Sequence, residues 1–210
     1  MSTVRHPCFA RCYARVSLRM EPEVGPHRSR LLAGLRGRVI EVGAGNGLNF
    51  GHYPPQVESV YAVEPEPRLR SLATERAGGE AAAVEVVDGV ADRLPADDES
   101  FDAAVVSLVL CSVPDQATAL AEVRRVLRPG GELRFFEHVR ADTAGMRRVQ
   151  RALDATIYPW LVGGCHLSRD TATAIRRAGF TIESIESLRV PDTRMSLPST
   201  AHIIGVARRA

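Results

Sequence analysis

Short apolar runs alternate with helical stretches through the middle of the chain. The runs are "RVIEV" at 38–42, "SVYAVE" at 59–64, "AAVEVVD" at 82–88 and "FDAAVVSLVL" at 101–110. Segments with helical spacing, such as 66–76, lie between them. Strands that are apolar along most of their length and separated by helices are typical of a parallel sheet with crossover helices on its faces. We therefore expect four parallel strands in this part of the chain.

A fifth strand is expected after a well-defined helix. Residues 115–131, "DQATALAEVRRVLRPGG", carry apolar side chains on one helical face and end in Pro129 and two glycines. The run "GELRFFEHV" follows directly. After a segment of mixed character, 142–167, Ser168 is expected to cap a helix that ends at Gly179. Two strand-like pieces, "FTIESIESLRV" and "TAHIIGVARR", come last.

Two helical stretches are expected before the first strand. Phe9, Tyr13, Val16 and Met20 recur at helical spacing, with arginines on the other face, which predicts a short amphipathic helix. A second helical stretch is expected from about residue 26 to residue 35.

These elements predict a single α/β domain over 1–210. We expect a doubly wound, Rossmann-like sheet of seven strands, five parallel strands and a C-terminal antiparallel pair, with helices on both faces. A chain of 210 residues is long enough to bury such a core without metals or disulfides. Within the domain, 1–36 would be an N-terminal helical cap, 37–140 the core of the sheet, and 141–210 the remaining segment with the terminal strands.

Composition narrows the function classes. The formal charge is +2, and all 27 cationic residues are arginines spread along the chain. The lack of lysine excludes Schiff-base chemistry and the lysine of a phosphate-binding P-loop. Without a basic cluster we expect no nucleic-acid partner.

The cysteines and the N-terminal arginines indicate the cellular compartment in which the protein works. The four cysteines are scattered, which favours free thiols in a reducing compartment. Arginines interrupt every apolar run in the first twenty residues, so neither a signal peptide nor a membrane-spanning segment is predicted. We expect a cytoplasmic protein. His6, Cys8 and Cys12 have helical spacing but lack a fourth ligand nearby, so we predict no metal site.

The stretch "EVGAGNGLNF" at 41–50 follows the first predicted strand. Its three glycines form G-x-G-x-G, whereas a dinucleotide loop requires glycine where this chain has Leu48. Glu41 would repel a phosphate but would hydrogen-bond an ammonium group. Glu64, at the end of the second strand and 21 residues after Gly43, is placed to accept both hydroxyls of a ribose. A nucleoside that carries a charged amino acid and no phosphate matches these features, and S-adenosylmethionine is such a molecule.

Several motifs carry a family resemblance. In order and spacing, "VIEVGAGNG", "AVEPE", "LPADDESFDAAVVSLVL" and "EVRRVLRPGGEL" resemble the motifs of class I S-adenosylmethionine-dependent methyltransferases, especially the ubiquinone and menaquinone methyltransferases. The stretches "GLNFGHYPP", "LVLCSV", "EHV", "GCHLSR" and "HIIG" are similar to those of alkyl-thiol S-methyltransferases. The resemblance implies S-adenosyl-L-methionine as cofactor and a small-molecule acceptor, with a thiol favoured.

The resemblance and the loop chemistry together define the expected cofactor site. It comprises Glu41, Gly43, Ala44, Gly45, Asn46, Gly47, Asn49, Glu64, Pro65, Gly89, Val90, Ala91, Ser107 and Leu108. Many relatives have Gly-Asp-Ala where this chain has Gly89, Val90 and Ala91, so the adenine is expected to meet backbone groups and apolar packing, with Asp88 as a further candidate. The membrane-bound thiol methyltransferases also carry an apolar N-terminal anchor. This chain begins with an arginine-studded helix instead, and we expect no membrane anchor.

The acceptor side is expected beyond the ends of the fourth and fifth strands. His138 is the candidate general base or acceptor-orienting residue, with a supporting histidine that bonds a backbone carbonyl as the alternative. Tyr13 is expected either to close over the cofactor or to pack within its helix. Cys111, Tyr158, Trp160 and His166 are the candidate pocket residues. Because the methyl donor is already activated, a covalent cysteine is unnecessary, and both Cys111 and Cys165 are interpreted as packing residues near the site.

Three other functions stay open at this point. A methyltransferase could act on an oxygen, nitrogen or carbon centre of a quinone-like or natural-product substrate. A dinucleotide-dependent oxidoreductase would share the sheet, although Leu48 and Glu41 argue against it. A non-catalytic module would bind the cofactor without turnover.

Overall fold

A computed structural model describes residues 7–80, 82–192 and 197–210. The helices are α1 (Pro7–Leu32), α2 (Pro67–Ala77), α3 (Gln116–Val126), α4 (Ala144–Asp154), α5 (Tyr158–Leu161) and α6 (Thr171–Arg177). The strands are β1 (Gly37–Val42), β2 (Val57–Val63), β3 (Ala83–Val87), β4 (Phe101–Ser107), β5 (Leu127–His138), β6 (Phe180–Arg189) and β7 (Ala201–Arg209). A single 3-10 turn, Phe50–His52, lies between β1 and β2.

The strands form one seven-stranded sheet in the order β3-β2-β1-β4-β5-β7-β6. Neighbours from β3 to β5 pair in parallel, and β7 pairs antiparallel with both β5 and β6. This arrangement confirms the doubly wound α/β sheet with five parallel strands and an antiparallel C-terminal pair. The strand order reverses at β1 and β4, and a ligand site is expected beyond the carboxyl ends of strands at such a point.

Side chains of β1 alternate between two cores, one on each face of the sheet. Val39 packs with Leu31, Leu32 and Leu35, at and just after the end of α1. Its neighbour Ile40 belongs to the other core, where α3 and α6 bury their apolar faces. Helices therefore cover both faces, as the apolar pattern predicts.

Helix α1 is one continuous helix of 26 residues, so the expectation of two separate helices was wrong. The two prolines inside it, Pro22 and Pro26, are four residues apart and lie on its exposed side. Proline removes the hydrogen bond to the carbonyl four residues earlier, and on the exposed side water can satisfy that carbonyl. The helix therefore continues through both prolines and ends at Leu32.

The start of α6 differs from the expected cap. Asp170 is the N-cap residue, and its carboxylate accepts a hydrogen bond from the backbone N–H of Thr173 at 3.3 Å. Ser168, the expected cap, instead donates its hydroxyl to Oδ2 of Asp154 at 2.6 Å. The carboxylate of Asp154 also accepts the backbone N–H groups of Leu167 and Ser168. Ser168 therefore ties the segment before α6 to the end of α4.

Helix α1 packs against the sheet and against α2. In the parts of the chain that the structure describes, no helix is both long and apolar enough to cross a bilayer.

Candidate active site

The glycine loop turns sharply at the end of β1. Gly43, Gly45 and Gly47 have φ angles of +71°, +59° and +76°. Such angles favour glycine, and at Gly43 a side-chain carbon would also lie 2.5 Å from Cγ2 of Val109. The N–H groups of Gly43 and Ala44 both donate to the carbonyl of Val63, at 2.8 and 3.1 Å. These bonds hold the loop against the end of β2.

Glu64 is buried at the end of β2 and faces the glycine loop. Its Oε2 accepts the N–H of Gly45 at 2.7 Å, and its Oε1 accepts the N–H of Glu66 at 2.9 Å. Burial raises the pKa of this carboxyl to about 7, although the two backbone hydrogen bonds favour its charged form. The guanidinium of Arg70 donates to the carbonyls of Glu64 and Pro65 and fixes the chain beside the carboxylate.

Glu41 is buried at the end of β1, within a polar network. Oε1 accepts a hydrogen bond from Nδ2 of Asn49 at 2.8 Å, and Oε2 accepts one from the hydroxyl of Tyr53 at 2.7 Å. Burial raises the pKa of Glu41 to about 7, and the two side-chain donors oppose that rise. Asn49 is therefore positioned by Glu41.

Arg28 joins the same network from helix α1. Its Nη1 donates to Oδ1 of Asn49 at 2.7 Å, and its Nε donates to Oε2 of Glu21 at 3.2 Å. The side chain is buried, which places a positive charge a short distance from Glu41. Sequence reasoning missed this residue. Its position depends on α1 running unbroken through two prolines, and that continuity had no signal in the sequence.

Helix α1 also covers the glycine loop. A side-chain carbon at Gly45 would lie 3.3 Å from Cε1 of Tyr13, so the tyrosine ring lies directly over this glycine. Nδ2 of Asn46 donates to the hydroxyl of Ser17 at 3.1 Å, one helical turn further on. Burial raises the pKa of Tyr13, so its hydroxyl is neutral at physiological pH. The structure thus brings Tyr13 to the predicted cofactor loop.

The segment after β3 forms a tight turn at the same edge of the sheet. A side-chain carbon at Gly89 would lie 2.7 Å from Cδ of Pro95. Val90 pairs with Arg93 in an isolated bridge, and Ala91 packs against the adjoining apolar core. Asp88 accepts a hydrogen bond from Arg70 at 3.2 Å. The predicted adenine segment therefore presents backbone and small apolar groups near the end of β2.

The chain turns abruptly after β4. Leu108 has a φ of +60°, which is uncommon for a residue with a branched side chain, and its N–H donates to the carbonyl of Phe136 at 2.7 Å. The buried hydroxyl of Ser107 has no hydrogen-bond partner among the described residues. Strain and an unpaired buried polar atom at one strand end are typical of a ligand site.

Glu137, the last but one residue of β5, holds this turn in place. Its Oε1 accepts the N–H groups of Val109 and Leu110, both at 2.9 Å, and its Oε2 accepts the N–H of Cys111 at 3.1 Å. Burial raises the pKa of Glu137 to about 7, and the three backbone donors oppose the rise. Glu137 is therefore a positioning residue for the loop after β4, a role that sequence reasoning did not assign.

A cavity of about 360 Å³ lies between α1 and the ends of β4 and β5. Helix α1 lines it with one face, including Phe9, Tyr13, Val16, Met20, Val24 and Arg28. The opposite wall includes Leu108, Cys111, Phe136, His138, Tyr158 and Cys165. No carboxylate is among the described residues that line it. This cavity is the place where an apolar molecule could lie next to the predicted cofactor loop.

Three of the predicted acceptor-side residues meet in this cavity, and two do not. His138, Cys111 and Tyr158 line it. Trp160 is 73% exposed and does not line the cavity, and it does not anchor the segment in the core either. His166 also lies outside the lining, and its Nδ1 is 2.7 Å from the carbonyl of Gly164. We therefore leave Trp160 and His166 out of the candidate site.

His138 contacts two cysteines and a second histidine. Its Nδ1 lies 3.7 Å from Sγ of Cys111 and 3.6 Å from Sγ of Cys165. The ring centroids of His138 and His202 are 4.2 Å apart. Burial and the neighbouring His138 lower the pKa of His202 to about 3, so this second ring is neutral. The hydrogen bond from Cys111 and the nearby imidazole of His138 lower the pKa of the Cys165 thiol.

The prediction that His6, Cys8 and Cys12 bind no metal stays untested by the structure. His6 and the side chain of Cys8 lie outside what the structure describes, and Cys12 is an exposed free thiol.

The residues present fit S-adenosylmethionine. Glu41 and Arg28 offer opposite charges to an amino acid, Glu64 offers a carboxylate to a ribose, and the hydroxyl of Ser107 is an unpaired polar atom at the same edge. The three glycines of the loop add no side chains of their own at this edge, and the ring of Tyr13 lies over Gly45.

Comparison with known proteins agrees with this geometry. A family profile described as a methyltransferase domain matches residues 40–135. Thiol S-methyltransferase TMT1B of Mus musculus is 39% identical over 181 residues, which cover 84% of this chain and 73% of the relative. Thiol S-methyltransferase TMT1A of Homo sapiens is 37% identical over 163 residues, which cover 73% of this chain and 64% of the relative. Among solved structures, an S-adenosylmethionine-dependent methyltransferase from Thermotoga maritima matches with a TM-score of 0.69 at 21% identity, covering 96% of this chain and 98% of that one.

The fold, the glycine loop and these relatives define a methyltransferase. The chain belongs to the class I S-adenosylmethionine-dependent methyltransferases, and its cofactor is S-adenosyl-L-methionine.

Proposed function

We propose that the protein transfers a methyl group from S-adenosylmethionine to the sulfur of a small, apolar thiol. The observation that carries this proposal is the apolar cavity of about 360 Å³ beside the cofactor loop, whose described lining contains three cysteines and two histidines but no carboxylate. The names of the two relatives, both thiol S-methyltransferases, support the same acceptor.

The cofactor would lie across the carboxyl ends of β1, β2 and β4. Its ammonium group would pair with Glu41 and its carboxylate with Arg28, which the Asn49 side chain already connects. Glu64 would accept the ribose hydroxyls, and the turn at Gly89, Val90 and Ala91 would hold the adenine. The backbone of the turn at Ser107 and Leu108 would then border the methyl group.

The chemistry of the cavity favours a thiol over a hydroxyl or a carbon acid. Methyl transfer from a sulfonium is a displacement in which the leaving group is neutral S-adenosylhomocysteine, so positioning supplies most of the rate gain. A hydroxyl or carbon acid would need a strong general base, whereas a thiol is more acidic, with a pKa of about 8.5 for a cysteine side chain, and needs less help. His138 would orient the acceptor sulfur, and Tyr13 would cover the cofactor.

The proposal also covers partner and compartment. The acceptor would be a free small molecule, without a nucleic-acid or membrane partner. Cys12, Cys111 and Cys165 are free thiols, and this supports a reducing compartment such as the cytoplasm.

Mass spectrometry of an acceptor panel tests the proposal. The full-length protein, supplied with S-adenosylmethionine, should add one methyl group to alkyl thiols and none to phenols, quinols or amines of similar size. Methylated quinols with unmodified thiols would point instead to a carbon or oxygen acceptor. Tight binding of S-adenosylhomocysteine with no product from any acceptor would point to a non-catalytic module.

A further inference from the structure

Three potential metal ligands converge on the wall of the acceptor cavity. Sγ of Cys111, Nδ1 of His138 and Sγ of Cys165 all lie within 4.8 Å of one another. They come from three separate elements: the loop after β4, the end of β5 and the loop after α5. The sequence offers no sign of this cluster, because the two cysteines are far apart in the chain.

The distances from Nδ1 of His138 to the two sulfurs match a tetrahedral zinc site. Zinc–sulfur bonds of about 2.3 Å and zinc–nitrogen bonds of about 2.0–2.1 Å, at the tetrahedral angle, separate sulfur from nitrogen by about 3.6 Å. The two sulfur–nitrogen distances here are 3.7 and 3.6 Å. Little movement of the side chains would be needed to bind the ion.

Hydrogen bonds hold the two cysteine loops together. The N–H of Cys111 donates to Glu137, and the carbonyl of Cys111 accepts the N–H of His166, next to Cys165, at 2.8 Å. Arg169 donates to the carbonyl of Leu110 at 2.6 Å and joins the same two loops. The ligand atoms are therefore fixed by the surrounding backbone, as a metal site requires.

The charges of the cluster suit a buried zinc ion. One Zn²⁺ with two thiolates and one neutral imidazole has no net charge, so it could be buried among apolar side chains at low cost. Two sulfurs and an imidazole are ligands that zinc prefers, and two cysteines with one histidine form a known set in catalytic zinc sites. All three residues line the cavity, so a fourth position would face an acceptor.

We propose that Cys111, His138 and Cys165 bind one zinc ion whose fourth position receives the acceptor thiol as a thiolate. The second half of this statement rests on the proposed function, whereas the metal site does not. Binding of zinc releases the protons of the two cysteine thiols to solvent. The acceptor thiol also loses its proton to solvent when it binds. Its sulfur then forms a bond to the methyl carbon while the bond between that carbon and the sulfonium sulfur breaks, releasing neutral S-adenosylhomocysteine.

Zinc binding tests the metal site without any need for activity. The full-length protein is stripped with a chelator, reduced with a phosphine, titrated with Zn²⁺ against a chromogenic chelator, and assayed for metal content. We expect one zinc ion per chain, and more than about 100-fold weaker binding in Cys165→Ser and His138→Gln. Cys12 is an exposed thiol on the α1 wall of the same cavity but does not belong to the cluster, so Cys12→Ser is the matched control and should bind zinc as the wild type does. Replacement of zinc by Co²⁺ should give a thiolate-to-cobalt charge-transfer band that is weaker in Cys165→Ser, which keeps only the thiolate of Cys111.

The outcomes separate the metal site from the proposed function. If the wild type binds zinc no more tightly than Cys165→Ser, when circular dichroism shows both folded, the metal site is wrong. If zinc-free protein methylates thiols as fast as zinc-loaded protein, the thiolate role is wrong while the thiol methyltransferase stands. If zinc binds as expected but no thiol is methylated, the proposed function fails and the metal site stands.

Discussion

The backbone N–H of Gly45 donates a 2.7 Å hydrogen bond to Oε2 of Glu64, which links the glycine loop to the end of β2. The same carboxylate accepts the N–H of Glu66. Glu64→Ala would leave both donors unpaired, at a cost of about 1–3 kcal/mol each when buried. We expect lower stability in denaturant unfolding and at least tenfold weaker binding of S-adenosylhomocysteine by calorimetry.

A matched control for this change lies on the same strand. Glu58 is exposed on β2, so Glu58→Ala should leave both stability and cofactor affinity close to wild type. Equal losses of affinity in the two variants would show that Glu64 does not contact the ribose.

Cofactor affinity should depend on pH through Glu41. Burial raises the pKa of this carboxyl from 4.5 to about 7, so in the free protein it is largely protonated below pH 7. An ammonium group favours the charged form, so binding requires proton release and affinity should rise as pH increases from about 5 to 7. The cofactor ammonium stays charged up to about pH 7.5, which fixes the upper limit of the measurement.

Glu41→Gln cannot release that proton. Its affinity for S-adenosylhomocysteine should be lower and should rise less steeply over the same pH range. Glu64, whose pKa is also about 7, accounts for a remaining slope. An unchanged slope in Glu41→Gln, measured by calorimetry in matched buffers, would exclude the contact between Glu41 and the ammonium group.

Two glycines with positive φ angles distinguish the cost of backbone strain from the cost of side-chain crowding. Gly43 and Gly34 have similar φ angles, +71° and +77°, but only Gly43 would place a side-chain carbon against Val109, at 2.5 Å. Alanine at Gly34 would meet nothing within 4 Å. Gly34→Ala should cost about 1–2 kcal/mol from the backbone alone, and Gly43→Ala about 1–3 kcal/mol more. Equal unfolding free energies for the two variants would contradict this account of the turn.

The ring of Tyr13 should contribute to cofactor retention. Because it lies over Gly45, Tyr13→Ala should weaken S-adenosylhomocysteine binding by about tenfold, equivalent to about 1.4 kcal/mol. Tyr13→Phe should retain affinity if covering is the role of the ring, and a fall in kcat alone would instead assign the hydroxyl to catalysis. Leu18→Ala, on the exposed side of the same helix, is the control and should bind normally.

Local pattern was sufficient to predict most of the sheet. The apolar runs gave the five parallel strands, and the acids Glu41 and Glu64 were found because they end consecutive strands of the central sheet. The position of β7 between β5 and β6 was not predicted, because strand order depends on packing over long sequence separations.

Long-range contacts also explain what was missed in the site. Arg28 reaches Asn49 only because α1 is unbroken, and Glu137 reaches the loop after β4 only through the pairing of β4 with β5. The meeting of Cys111 with Cys165 requires the fold as a whole. Trp160 was assigned to the pocket from its place in the 142–167 segment, but its position in the short helix α5 leaves it exposed.

Helix α1 has a consequence for the order of events in turnover. One face of this helix covers the glycine loop through Tyr13 and also forms a wall of the acceptor cavity. Displacing the helix would therefore expose the glycine loop and the acceptor cavity at the same time. If exchange of spent cofactor and methylated product for new substrates requires this displacement, the rate of displacement sets an upper limit on turnover.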